Sequence, residues 1–139
     1  MPSPRRNRDV RSEGNISIWI VSFNSSTFHQ VWILNLGWMY AGGKGVPQDY
    51  KTALKWYRLA AEQGNANAQI SLGYMYAKGE GVLQDFVYAH MWWNIAASNG
   101  SERGRKLLDI VTKKIMTPAD ISAAQRLARE CVRKKYKGC

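Results

Sequence analysis

Cysteine is nearly missing from this chain: there are two, Cys131 and Cys139, both near its end. That excludes a disulfide-built scaffold and a cysteine-ligated zinc site. Histidine is as scarce, and neither His29 nor His90 has a cysteine or carboxylate at ligand spacing. No metal or cofactor is therefore expected, and no nucleophile–base pair stands out to support catalysis. No apolar run approaches the ~20 residues that a membrane-spanning helix needs. Acidic residues are half as common as basic ones, 10 against 20, for a net charge of +10. The excess is uneven: residues 15–100 are nearly neutral, and residues 101–139 carry most of it. Such a balance points to acidic partners, which include nucleic acid.

What the chain has in quantity is large apolar surface. Hydrophobic residues make up 45% of the 139, with six Trp and seven Tyr. One domain with a modest core is expected. Near the start, Arg5, Arg6 and Arg8 precede the apolar stretch Ile16–Phe23, ISIWIVSF. The arrangement resembles a leader, but Asp9 and Glu13 interrupt it and no clear cleavage site follows. The compartment, cytoplasmic or exported to the periplasm, therefore stays open.

The stretch AGGKGVPQDY, residues 41–50, has the look of a phosphate-binding loop. A shift of the chain against itself by 36 positions decides otherwise. LGWMYAGGKGVPQDYKTALKWYRLAAEQG then falls on LGYMYAKGEGVLQDFVYAHMWWNIAASNG. Gly37/Gly73, Gly45/Gly81, Asp49/Asp85, Trp56/Trp92 and Gly64/Gly100 coincide, and Lys44 meets Glu80. A lysine that neutralises phosphate cannot be exchanged for a carboxylate, so only the backbone requirement of the loop is kept. Glycine there ends one helix and turns the chain into the next. A period in the range of 20–50 residues marks stacked helical or strand repeats.

Each copy reads as two helices. In Ala66–Tyr76, Ala68, Leu72, Met75 and Tyr76 share one face. Gly73 interrupts that helix at a cost of about 1 kcal/mol in propensity, which close approach by a neighbour explains. Asp49 and Asp85 are expected N-caps of the second helices. Ala53, Trp56, Tyr57 and Ala60, and in the copy Ala89, Trp92, Trp93 and Ala96, are their expected buried faces. A third helix of the first type comes after Gly100, with Leu108 in register with Leu72. Thr117-Pro118-Ala119-Asp120 then has the form of a capped helix start. The last helix places Ile121, Ala124, Leu127, Ala128 and Cys131 on one stripe. Arg126, Arg129 and Arg133 lie off it, as in a capping element.

These residues resemble the Sel1-like repeat family, bacterial relatives of the tetratricopeptide repeats. The matching pattern is LG-x-MY-x-x-G-x-GV-x-QD and then A-x-x-W-x-x-x-AA-x-x-G, present in both copies. It covers about residues 33–108, and MTPADISAAQRLAREC looks like a closing helix of that family. The resemblance implies an all-α fold: a right-handed α/α superhelix of two full repeats, flanking half-repeat helices and a C-terminal cap. It also implies a non-catalytic scaffold for protein–protein contacts. Cysteine-rich relatives bridge the helices of a repeat with Cys pairs, a pattern absent here. The expected organisation is an N-terminal arm over 1–26, the repeat array over 27–116 and the cap with its basic tail over 117–139. An exposed ISIWIVSF would favour self-association, hence a homodimer through the arm.

Two groups of residues are candidate sites. Trp38 and Tyr74 share one variable repeat position, with Asn35 and Ser71 one turn earlier. Either they contact a protein or peptide partner in the concave groove, or they pack against the next repeat. The cations Arg126, Arg129, Arg133 and Lys134 could track phosphates with a steep salt dependence, or they form a solvated cap face. With little aromatic surface beside them, nucleic acid is the less favoured partner. Cys131 and Cys139 would lie ~12 Å apart on one continuous helix, too far to bond. A break at Gly138 would let Cys139 turn back.

Overall fold

The computed structural model describes residues 28–139, and the expectations for the N-terminal arm, including dimerisation through it, lie outside the described residues. Among the described residues there are six helices and no strand: α1 (Phe28–Gly42), α2 (Tyr50–Glu62), α3 (Ala66–Lys78), α4 (Phe86–Ser98), α5 (Glu102–Lys114) and α6 (Pro118–Arg133). The chain divides into two units between Trp32 and Ile33. The second unit, residues 33–139, carries the repeats.

The helix starts are written in single side chains. Asp49 accepts from the Thr52 amide at 3.2 Å, and Asp85 from the Val87 and Tyr88 amides at 2.9 and 3.1 Å. Asn65 and Ser101, also one period apart, do the same for α3 and α5. Each supplies one of the acceptors that a first helical turn lacks. Thr117 and Asp120 cap α6 reciprocally. The recurring glutamine of the QD pair has a function too. Gln48 donates to the Ala41 carbonyl and Gln84 to the Ala77 carbonyl, both at 2.8 Å. The loop is thus clasped to the helix it leaves. Gly79, at φ +72°, closes α3 in the left-handed region, where a side chain would be strained.

Helix α3 packs on α2 and α4, and α4 packs on α5 and α6 as well. Those two central helices are buried almost all round. The expected face of Ala68, Leu72, Met75 and Tyr76 is buried, but so are Gln69 and Ile70; in α4, His90 and Met91 join Trp92 and Trp93. The repeat-equivalent tryptophans differ. Trp92 is fully enclosed, whereas Trp56 is only half-buried against the core. Trp56 is therefore a partial exception to the expected buried face of α2. Identical residues in a repeat acquire different surroundings, because α4 has α5 and α6 stacked beyond it.

Gly73 explains how α3 and α4 come so close. A Cβ there would lie 2.2 Å from Trp93 Nε1. That indole N–H donates to the Ile70 carbonyl at 3.1 Å, one turn earlier on α3. Its equivalent, Gly37, faces Tyr57 in the same way, with Cδ1 at 2.7 Å from the position a Cβ would take. The missing side chain of one helix is the seat of the aromatic ring of its partner.

The end of the chain folds back. Ala124, Ala128 and Cys131 of α6 are buried, and Val111 of α5 is buried too, while Ile110 stays exposed. After α6, Lys135 and Tyr136 adopt positive φ of 56° and 67°, and Gly138 adopts 71°. Cys139 is brought back to Cys131, and the two form a disulfide with Cα atoms 5.6 Å apart. The hook lies on a chain of side-chain hydrogen bonds. The Tyr136 hydroxyl donates to Asn99, Asn99 to Gln69, and Gln69 to the Ala61 carbonyl, at 3.3, 3.2 and 3.2 Å. The buried Gln69 is thereby satisfied, and the tail is tied to the middle of the repeat array.

Candidate functional site: an aromatic and cationic groove

Helices α1, α3 and α5 contribute to one groove of about 390 Å³. Ala41 of α1, Tyr57 of α2 and Met75 of α3 give it apolar wall. Ser71, Tyr74 and Lys78 of α3, Glu80 of the turn after α3 and Arg103 of α5 add polar groups. Tyr74 is half-buried, held edge-on by the Trp93 ring with centroids 5.5 Å apart. Trp93 is itself fixed by the Gly73 gap and by its bond to Ile70. The helix–helix contact that builds the repeat therefore also sets the angle of the groove aromatic.

Two cations converge on Tyr74. Lys78 Nζ lies 5.6 Å and the Arg103 guanidinium 5.7 Å from its ring centroid. Both residues are exposed, and neither has a carboxylate partner among the described residues. Each contact of this kind supplies about 0.5–1 kcal/mol at an exposed site. Glu80 is engaged differently, by the Tyr50 hydroxyl. The negative charge of Glu80 is the main reason that this hydroxyl titrates above its ordinary range. Tyr57 is also pushed up, chiefly by burial, with a hydrogen bond from Ser71 acting the other way.

Of the four residues singled out in the sequence, Ser71 and Tyr74 line this groove. Trp38 does not line it: the residue is 61% exposed, with Lys44 Nζ 5.6 Å from the ring centroid. Asn35 is exposed and likewise lies outside the lining. Lys44, the lysine of the phosphate-loop look-alike, thus stacks on an aromatic ring. Sequence reasoning missed Lys78 and Arg103. They are 25 residues apart, and only the stacking of α5 on α4 carries Arg103 over the second repeat.

The cations of α6, Arg126, Arg129, Arg133 and Lys134, are all exposed. Arg129 borders a separate groove of about 630 Å³ between α4 and α6, with Asn94, Ser98, Gln125 and Val132. Among the described residues no group of three or more His, Cys, Asp or Glu is placed to hold a metal ion. No described helix is long and apolar enough to cross a membrane.

A helix pair that recurs every 36 residues and stacks into one continuous core is an all-α solenoid, a repeat protein. The unit is the Sel1 repeat. Residues 33–65 and 66–101 each match that family, and the chain belongs to it. Sel1-repeat proteins are in general non-catalytic modules for protein–protein interaction. The structure resembles that of a protective antigen of uropathogenic Escherichia coli with an SLR fold, at 33% identity and a TM-score of 0.71 over 77% of this chain. It also resembles a Sel1 repeat protein from Oxalobacter formigenes, at 43% identity and a TM-score of 0.56 over 59% of this chain. The chain spans 24% of the length of each. No curated protein matches it significantly.

Proposed function

We propose that this chain is a non-catalytic adaptor that binds a segment of a protein partner in the groove around Tyr74. The observation that supports this most is the Tyr74 site itself. A repeat array needs its glycines, caps and aromatic seats to stack; it does not need a half-buried tyrosine in a groove beside two cations that have no carboxylate partner among the described residues. The wall formed by Ala41, Tyr57 and Met75 supplies apolar area, while Ser71, Lys78 and Arg103 supply orientation. A few polar groups in an apolar cleft are the usual composition of a binding site.

Trp38, exposed one repeat away and outside the groove lining, is included as a second aromatic contact of the same partner. Substitution of Trp38 and Tyr74 by Ala tests the assignment. Partner binding should fall by about a hundredfold or more, as for paired aromatic anchors, while the helical circular dichroism spectrum is retained. Unchanged binding by a folded double variant refutes the site. The exposed cations Arg126, Arg129, Arg133 and Lys134 support a second reading, in which α6 and its tail bind polyanions. Their replacement by Gln should leave partner capture intact if the groove is the functional surface.

A further inference from the structure

The groove has a charge pattern that its apolar wall does not require. Lys78 reaches Tyr74 from the same helix, and Arg103 reaches the same ring from α5. Among the described residues the ion pairs are Arg105 with Glu102 and Lys113 with Asp109. Arg103 and Lys78 belong to neither pair, and both line the groove beside the same ring. Two like charges held near one ring repel each other, and an anion placed between them removes that repulsion.

Building on the groove reading, we propose that the occupant is an acidic peptide segment, with one carboxylate seated between Arg103 and Lys78 against the Tyr74 ring. Arg103 offers a planar fork for the two carboxylate oxygens and Lys78 a compact point charge. The Glu80 carboxylate on the same wall decides against a phosphodiester strand. A repeating polyanion would have to pass that charge, whereas a peptide with a single acidic side chain or a terminal carboxylate need not. The apolar wall of Tyr57 and Met75 then receives a neighbouring apolar residue of the peptide. The pairing is one of charge complementarity, so it acts on specificity and encounter rate as much as on affinity.

The test is selection of a phage-displayed library of random linear peptides on the full chain. A fluorescein-labelled peptide of the selected sequence is then titrated by fluorescence anisotropy. The expected result is enrichment of Asp or Glu, with Arg103→Glu and Lys78→Glu each weakening binding by about tenfold in this partly solvated site. The double charge reversal should turn the selection toward basic peptides, and Arg126→Glu on α6 should change little. Both groove cations are exposed, so the variants should fold, which circular dichroism checks. A neutral or basic consensus that is still lost with Tyr74→Ala overturns the acidic specificity and leaves the groove reading standing. An acidic consensus indifferent to Arg103→Glu, or displaced by single-stranded DNA through α6, overturns the carboxylate site. Selection of no peptide at all overturns both.

Discussion

Gly73→Ala should destabilise this protein, although alanine is the better helix former. On propensity alone the change in α3 should stabilise by about 1 kcal/mol. The structure opposes it: the new Cβ would sit 2.2 Å from Trp93 Nε1 and 2.5 Å from Cδ1. No real carbon comes so near, so the indole must move. Overpacking of this kind costs about 1–3 kcal/mol. The moved indole also gives up its bond to the buried Ile70 carbonyl, and an abandoned buried group costs about 1–3 kcal/mol more. With the propensity gain subtracted, the expected net loss is roughly 3 kcal/mol. Urea unfolding monitored by circular dichroism reads it as a lower midpoint at unchanged slope. Combining the substitution with Trp93→Phe, which removes the crowding edge, should recover part of the loss, a coupling of about 1–2 kcal/mol. Gly100→Ala is the contrast. No atom lies within reach there, and the strain comes only from φ of +94°, about 1–2 kcal/mol. If Gly73→Ala stabilises the chain, the glycine is not a seat for Trp93 and the α3–α4 contact is not built on it.

Two further outcomes are expected. His90 is 2% exposed and its Nδ1 has no hydrogen-bond partner, so burial holds its pKa below the ordinary value. The unfolded chain then takes up this proton first as pH falls below ~6.5. The stabilising effect of the neutral ring is complete above that value and is lost toward the lower folded pKa. His90→Phe should flatten the fall in melting temperature between about pH 7 and 5, and an unchanged slope counts against a buried neutral histidine. Cys139→Ser should release the tail hook. The chain-entropy contribution of so short a loop is about 2.5 kcal/mol at most, and because the hook is terminal the loss should be local. Faster exchange of the Tyr136 amide, which donates to the Cys131 carbonyl at 2.8 Å, is the readout. Exchange as slow as in the unaltered chain would show that the Asn99–Gln69 hydrogen bonds hold the tail alone.

The repeat was legible because its signals are local and doubled. Asp49 with Asp85, Gly45 with Gly81 and Gly37 with Gly73 each recur at the same offset, and a cap, a turn and a close approach can be read from single residues. The sign change from Lys44 to Glu80 was enough to discard the phosphate loop. Tertiary surroundings were not legible. Trp56 and Trp92 are the same residue in the same pattern, yet only Trp92 is enclosed. Gln69 and His90 are polar residues buried by helices that arrive from elsewhere in the chain. The tail turned on Lys135 and Tyr136 as well as Gly138. Left-handed backbone at a lysine and a tyrosine carries no sequence signal; it accompanies the return of Cys139 to Cys131 and the Tyr136 hydrogen bond to Asn99. At the groove, Ser71 and Tyr74 could be chosen from their variable repeat positions. Arg103 could not, because its proximity to Tyr74 is a product of stacking across three helices.

The claim that the groove around Tyr74 is the docking surface is tested most directly by site-specific photo-crosslinking. A benzophenone amino acid is placed at Ser71 in one variant and at Gln125, on the exposed side of α6, in another. Each is irradiated in extract of the source cells with and without nuclease. The expected result is a discrete protein adduct from position 71 that survives nuclease, with little from position 125. Adducts from position 125 alone, or adducts that disappear with nuclease, would contradict the claim and move the function to the basic face of α6.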